Sequence, residues 1–590
     1  MPAAETHISS LPGALSRVNT LVDALRERAQ AHPQRPLYTF LRRARDVERN
    51  LTFGTLDARA RAIAASIRAH ALPGDCAVII CPNDLSFIEA FMGCQYAGVI
   101  PVPSPSLQGY HAAERLRRVL GAVSTACVIT TSAIEDRLKA RADALPELAA
   151  IAHLCVDTVP AHDWVQWSAP DIDAHDVAFV QFTSGSLSAP KGVKVSHANI
   201  LHNLEMLHSA FGHTDESRIV SWLPFFHDWG LIGGLLQPIY SGIQSVLFDP
   251  LEFVRKPRNW LETISRFGAT VSGAPNFAYD RCLQTIEPED VDGLDLNQWE
   301  VAIVGAERIC ADTLDRFEFR FAPCGFKRTA FFTSYGLAES TLVVTGGRRD
   351  EAPVTIAIDR EALEGGRVEP VSDAGLQSCV RLVSNGHALL DQDVRIVDPE
   401  RCAPCDDMQI GEIWVAGRSV VQGYWELDAA TAEQFAATLL GDTDRSYLRT
   451  GDQGFLSEGE LYITGRIKDL IIVSGRNLYP EDIERVADEA DPTLRQGKGA
   501  AFSIDVNGVE HYIVAHEVQF AGREDGDMII ESIRSAVTRV IGVAPWAIAL
   551  IKAGGIPTTS SGKIQRQATK QRFLADELPC LRVWRQAPQG

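Results

Sequence analysis

The chain is short of positive charge: 56 Lys and Arg stand against 76 Asp and Glu, a net charge of −20. Holding a phosphate backbone takes a concentrated basic face, so this balance argues against a nucleic-acid partner. The first residues, MPAAETHISSLPGALSRV, lack the basic and apolar regions of a secretory signal. The expectation is a cytoplasmic protein whose 12 scattered cysteines stay reduced. Cys402 and Cys405 form a C-x-x-C without the second pair that a zinc site would use, so a turn between two strands is expected there. A long unbroken apolar run is missing too. The longest, LIGGLLQPIYSGIQSVLF from Leu231, is interrupted by Gln237, Pro238, Ser241 and Gln244. That suits a buried helix, turn and strand, and no membrane span. Fixed-period repeats and low-complexity tracts do not occur.

What is present is length and alternation. At 590 residues and 46% hydrophobic composition, the chain exceeds one compact core. Helical spacing in LDARARAIAASIRAHAL gives way to the short strand CAVIICP, then to the helical DLSFIEAFMGCQYAG and a strand at Gly98–Pro103. RLRRVLGAVSTACVITT repeats helix then strand. This alternation predicts an α/β fold with mainly parallel sheets. From Gly386 the texture changes to short strands with turns, DVRIVD, GEIWVAG and GELYITG, which predicts a smaller β-rich subdomain over 386–468. After Asp469 the pattern is α+β, with a helix near Met528–Ile541. The expected division is therefore 1–468 and 469–590, with the boundary at Lys468–Asp469.

One loop, FTSGSLSAPKGVKVSH (Phe182–His197), gathers Thr183, Ser184 and Ser186 around Gly185, followed by Lys191 and a strand that enters a helix. Hydroxyls, exposed backbone N–H groups and one lysine suit a polyanion. It is not a P-loop, because the lysine precedes the last glycine. Taken alone, it is equally an ordinary Ser/Gly/Pro surface loop. Further stretches decide. SWLPFFHDWGLIGG (Ser221–Gly234) puts His227 and Asp228 after an aromatic run. VAIVGAERI (Val301–Ile309) is a buried strand ending in Gly305, Ala306 and Glu307. FFTSYGLAEST (Phe331–Thr341) reads as a strand, a glycine turn at Gly336 and a helix start carrying Glu339. YLRTGDQG (Tyr447–Gly454) reads as a strand ending at Asp452. GRIKDLIIVSGRNLYPEDIE (Gly465–Glu484) is followed much later by IPTTSSGKIQR (Ile556–Arg566).

In this order and spacing, over nearly the whole length, these stretches resemble the adenylate-forming superfamily of acyl-CoA synthetases, peptide-synthetase adenylation domains and luciferases. Within it, FFHDWGLIGG, SGAPNFAYD (Ser272–Asp280), YGLAEST, LVSNG (Leu382–Gly386) and DVRIVDPE look most like the fatty acyl-AMP ligases. So does the long segment Thr345–Arg381, at the position of the insertion that marks those ligases. The resemblance implies a large N-terminal domain of parallel-sheet α/β subdomains with a small β-barrel-like subdomain, then a small mobile α+β domain. It implies ATP and Mg2+ as cofactors and a fatty acid as substrate. Thr183, Ser184, Gly185, Ser186 and Lys191 would cradle the leaving phosphates. Glu339 and Thr183 would hold Mg2+. Gly305, Ala306, Glu307, Tyr335 and Gly336 would form the adenine slot, with Tyr335 stacking on the base. Asp452 would take the ribose hydroxyls, assisted by Arg466. His227 would lie near the acyl carboxylate, and Lys563 between that carboxylate and the α-phosphate. Asp469 would be the hinge of the small domain.

The resemblance further implies transfer of the acyl group to the phosphopantetheine thiol of an acyl carrier protein. The chain ends soon after Lys563, so the carrier is expected in trans. Leu187 and Ser188 depart from the family, which usually has Thr and often Gly there, so one phosphate-touching hydroxyl is absent. APNFAYDRCL (Ala274–Leu283) is helical by spacing and lines the acyl tunnel in the family. Arg255, Lys256 and Arg258 form a small basic group, either a wetted surface or a meeting point for an acidic carrier. Three other functions stay open: a conventional acyl-CoA synthetase, a non-catalytic acyl or nucleotide sensor, and an amino-acid adenylating enzyme. Asp228 could then meet a substrate amine, although a structural role is preferred for it.

Overall fold

The structure, a computed structural model, describes residues 18–105, 112–140, 145–160, 165, 167–183, 191–372, 378–473, 475–506, 508–519, 526–559 and 562–586. Its spine is a nine-stranded sheet. Six parallel strands stand side by side in the order Phe331–Gly336, Val301–Gly305, Val271–Pro275, Arg218–Ser221, Gln244–Phe248 and Pro36–Arg42. Antiparallel strands close both edges, Asp46–Thr52 on one side, Val343–Gly346 and His387–Ala388 on the other. A second sheet of four parallel strands runs Ile100–Pro103, Cys76–Ile79, Thr125–Thr130 and Ala152–Cys155. Val301–Gly305 and Cys76–Ile79 are buried at every position, as parallel strands covered on both faces must be.

The interrupted apolar run from Leu231 folds as expected. A helical stretch spans Asp228–Ser241, Gly242 turns it at φ 71°, and Gln244–Phe248 is the strand. Below the large sheet, Trp260, Tyr279, Trp299 and Phe317 pack edge to face, which adds about 0.5–1.5 kcal/mol per pair beyond burial. Their polar atoms are anchored: Trp260 Nε1 donates to Ser272 Oγ at 2.7 Å, and Tyr279 donates to the Ile303 carbonyl at 2.9 Å.

The β-rich region expected from Gly386 is a six-stranded antiparallel sheet built on Asp393–Asp398, Gly411–Ala416, Asp442–Ser457 and Glu460–Arg466. Cys402 and Cys405 flank its short strand Ala403–Pro404 and are free thiols. After a single 3₁₀ turn at Ile467–Asp469 comes a hairpin, Ile471–Val473 with Arg476–Leu478. A four-stranded sheet with helices Pro480–Asp488 and Gly526–Ile541 follows. The expected insertion contributes a strand, Thr355–Asp359, paired with Cys379–Val383, and a short helix, Arg360–Glu364.

The connection from Phe331–Gly336 to Val343–Gly346 is tightly packed. The chain makes one 3₁₀ turn at Ala338–Ser340, not the helix expected there, and reverses through Thr341 at φ 68°. A side chain at Gly336 would place its Cβ 1.7 Å from the Leu342 carbonyl oxygen. Gly336→Ala must therefore displace backbone. It is expected to lower stability by roughly 1–3 kcal/mol, read as a lower denaturation midpoint of the purified protein; an unchanged midpoint would mean that the turn relaxes freely.

Candidate active site

The loop expected to bind phosphates joins two antiparallel strands, Val177–Phe182 and Gly192–Ser196. Ser184, Gly185 and Ser186, together with Leu187 and Ser188, lie outside the described residues. The feet of the loop are fixed: the Thr183 N–H donates to the Lys191 carbonyl at 3.1 Å. The second strand also bonds to a distant segment, with Lys194 N–H on the Gly423 carbonyl at 3.0 Å and Trp425 N–H on the Gly192 carbonyl at 2.7 Å. This sets Tyr424 beneath Lys191, whose ammonium is 4.4 Å from the ring centre. The Tyr424 hydroxyl donates to Glu339 Oε1 at 3.0 Å. Lys191 and Glu339, far apart in sequence, are thus joined through one tyrosine.

Glu339 rides on the 3₁₀ turn, whose carbonyl at Glu339 accepts from Val421 N–H at 3.0 Å. Burial pushes its carboxyl above the usual range, while the Tyr424 bond and the charge of Arg466 pull it back. Among the described residues it has no ion pair. A partly buried carboxylate in that position suits a hard divalent cation. The described residues hold no cluster of three or more His, Cys, Asp or Glu fit for a metal ion.

The second group centres on Asp452, 6% exposed. Tyr335 donates its hydroxyl to Oδ2 at 2.7 Å, and Arg466 Nε donates to Oδ1 at 3.0 Å. Asp452 does not end a strand. It lies inside Asp442–Ser457 and pairs directly with Arg466 across the ladder. The Thr-Gly-Asp is a bulge: Gly451 takes φ 72°, and the register shifts opposite Glu412–Trp414. Each carboxylate oxygen keeps a lone pair for a further donor. Most of the Tyr335 ring is packed with Val344 and Ile396, leaving the residue 7% exposed.

Gly305 closes its strand against Ser334, Ala306 turns at φ 65°, and Glu307 accepts from the Phe277 N–H at 2.6 Å. Burial raises the Glu307 carboxyl; that hydrogen bond and the charges of Lys563 and Lys498 lower it. Lys563 is exposed on a turn that Thr559 closes. His227 precedes the helical stretch Asp228–Ser241, and its carbonyl accepts from Leu231 N–H at 2.8 Å. Gln181 Nε2, on the strand leading to the phosphate loop, donates to the Phe226 carbonyl at 2.8 Å, which ties that turn to the loop. Asp228 Oδ1 accepts from Trp229 N–H at 2.7 Å, in keeping with a structural role.

Asp469 accepts from Arg566 and Gln567, both at 3.4 Å. Arg566 also grips Glu484 through two bonds of 2.7 Å and Glu481 at 2.8 Å. Arg255, Lys256 and Arg258 are each paired with a glutamate, Glu252 or Glu262, so they present no bare basic patch.

Sequence reasoning missed Tyr424, Arg566, and two ion pairs, Arg308 with Asp482 at 3.0 Å and Arg476 with Glu364. A signal existed only for Tyr424, which sits in an aromatic pair after a glycine in VVQGYWELD.

The AMP-binding enzyme family matches residues 25–425. The medium-chain fatty acid–acyl-carrier-protein ligase JamA of Moorena producens is 39% identical, over 95% of this chain and 96% of that protein. The long-chain fatty acid–AMP ligase FadD32 of Mycolicibacterium smegmatis is 36% identical over 92% of each. Among solved structures, the fatty acyl-adenylate ligase of L. pneumophila, in complex with acyl adenylate and pyrophosphate, superposes with a TM-score of 0.75. It is 38% identical, over 96% of this chain and 98% of that one.

Tyr424→Phe deletes the donor to Glu339 and keeps the ring beneath Lys191. The expected result is a loss of about 1.5–3 kcal/mol in the ATP-dependent step, seen in single-turnover kinetics as a fall of tenfold or more with the fold intact. A wild-type rate would remove Tyr424 from the site.

Proposed function

The chain belongs to the AMP-binding enzyme family, and we propose that within it the protein is a fatty acyl-AMP ligase that passes its acyl group to a separate acyl carrier protein. The observation that carries this reading is the joining of Lys191 and Glu339 through Tyr424, beside Asp452 with its two fixed donors. A carboxylate is a poor electrophile. Attack by its oxygen on the α-phosphorus of ATP forms a new P–O bond, breaks the bond to the β-phosphate bridge and releases pyrophosphate. The acyl adenylate is a mixed anhydride. A thiol then attacks its carbonyl carbon, AMP leaves, and the thiol proton passes to solvent.

In this reading the protein mainly positions reactants and steadies spreading negative charge. The loop between Thr183 and Lys191 holds the departing phosphates, with Ser184, Gly185 and Ser186 as its tip. Asp452 orients the ribose through the lone pairs that Tyr335 and Arg466 leave open. Gly305, Ala306, Glu307 and Gly336 shape the slot for the base, and His227 stands at the carboxylate end. Lys563 bridges carboxylate and α-phosphate. Bound at Glu339 and Thr183, Mg2+ supplies charge neutralisation on the phosphates. The work is assigned to the cytoplasm, feeding carrier-bound polyketide or lipopeptide assembly.

The proposed division at Lys468–Asp469 is supported by a separate apolar cluster after it, including Ile483, Val514 and Ile533. The insertion is tied to that unit. Its Glu364 pairs with Arg476, and Ile358 and Leu363 share an apolar cluster with Tyr479. Such a tie opposes rotation about Asp469 and so favours a tethered carrier thiol over free CoA.

The test supplies ATP, Mg2+ and a panel of fatty acids, then either CoA or phosphopantetheinylated carrier, with products read by mass spectrometry. Acyl-AMP and acyl-carrier without acyl-CoA are expected. Ready acyl-CoA formation would make the protein a conventional synthetase; no adenylate with any fatty acid would favour the sensor or the amino-acid reading. Lys563→Ala is expected to lower adenylate formation on the order of 10²–10³-fold. Glu364→Ala should raise the acyl-CoA share roughly tenfold, about the worth of one partly buried ion pair; an unchanged share would remove the tie from the explanation.

A further inference from the structure

The corner that follows the strand Val301–Gly305 is pinned on both sides of Arg308. Before it, Glu307 accepts from the Phe277 N–H at 2.6 Å; after it, Cys310 donates its N–H to Asn276 Oδ1 at 3.0 Å. Both partners open the helix Asn276–Thr285. The Arg308 backbone is thus fixed to the large part of the chain, while its side chain leaves it. Arg308 Nη1 donates to Asp482 Oδ1 at 3.0 Å, across 174 positions of sequence.

Asp482 lies in the first turn of the helix Pro480–Asp488, where the N-terminal dipole favours a negative charge. It is buried. Burial alone would raise its carboxyl, but the charges of Arg308, Arg360 and Arg485 outweigh that and hold it below the usual range. Arg485 stands 4.0 Å away and is the more exposed of the two paired cations, so Arg308 supplies the close, shielded contact. Losing one partner of a buried pair strands the other charge. The contact therefore favours the one relation of the two segments in which both charges are matched.

The helix belongs to the C-terminal unit. Ile483, Val486 and Ala487 share an apolar cluster with Val514 and Ile533. The same helix leads to the lysine turn: Glu484 accepts two bonds of 2.7 Å from Arg566, three residues after Lys563. A chain of contacts thus runs from the Gly305–Glu307 corner through Arg308, Asp482 and Glu484 to Arg566. The tie between Glu364 and Arg476 starts from the insertion instead, and reaches the hairpin rather than this helix.

We propose that Arg308 is a positioning residue for adenylate formation: through Asp482 it holds the helix, and with it the Lys563 turn, against the base slot in the first half-reaction. This rests on the ligase reading above and assigns a further residue within it. The charge of Lys563 on the Glu307 carboxyl agrees with that placement. Arg308 touches neither reactant in this assignment; its effect passes through Asp482. Attack of a carrier thiol on a finished acyl adenylate needs no cation between carboxylate and α-phosphate, so that step does not draw on the pair.

Single-turnover formation of acyl adenylate, from ATP and the fatty-acid panel, tests this on the wild type, Arg308→Met, Asp482→Asn and the double variant. Acyl transfer to a phosphopantetheinylated carrier is measured in parallel, from acyl adenylate supplied ready-made. Each single variant is expected to slow adenylate formation on the order of 10- to 100-fold at saturating ATP, the range of coupling between directly paired residues. Transfer is expected to keep its rate, and the double variant to be no slower than the slower single one. Equal losses in both steps by folded variants would make the pair a purely structural one and overturn the inference. So would additive losses in the double variant, which would mean that the two residues act apart, or an unchanged adenylate rate. Those results leave the ligase reading standing; no adenylate from the wild type overturns both together. If Arg308→Met does not fold, the isosteric Asp482→Asn decides by the same comparison of half-reactions.

Discussion

Much of this structure hangs on one carboxylate. Asp452 takes a hydroxyl from Tyr335, at the end of the large sheet's strand Phe331–Gly336, and a guanidinium from Arg466, three residues before Asp469. The antiparallel sheet that carries both Asp452 and Arg466 is thereby fastened to the parallel sheet through Tyr335. Burial alone would make such a charge unfavourable. Two aimed donors offset that cost, and the cation is itself raised in pKa chiefly by Asp452. The geometry around Asp452 is therefore not free to drift: moving one sheet against the other breaks a hydrogen bond in a poorly solvated place.

The parts legible in the sequence were the local ones. Alternating apolar runs yielded the parallel strands, and the loop at Thr183–Lys191 fell between two strands as its turn chemistry suggested. The interrupted run from Leu231 resolved into helix, turn and strand. Errors arose where the backbone does something short and irregular. Glu339 sits on one 3₁₀ turn rather than a helix, because Gly336 and Thr341 reverse the chain within a few residues. Asp452 sits in a bulge rather than at a strand end, because Gly451 can adopt a left-handed φ without stopping the ladder. Tyr424 was missed for a different reason. Its contact with Glu339 spans 85 positions, and no periodicity reports a pairing that exists only once two sheets are packed.

The charge balance also takes on a spatial meaning. The excess of acid supplies carboxylates to cations at the seams: Arg566 is shared among Asp469, Glu481 and Glu484, while Arg308 and Arg476 each cross to another segment to meet a carboxylate. Lys191 meets an aromatic face and Lys563 the field of Glu307. Several of the cations thus stand where segments join.

Arg566 shows what such placement does. It stands three residues from Lys563 and grips both Asp469 and the helix that carries Glu481 and Glu484. Three carboxylates from two segments therefore share one cation, and neutralising any one of them shifts the hold on the other two.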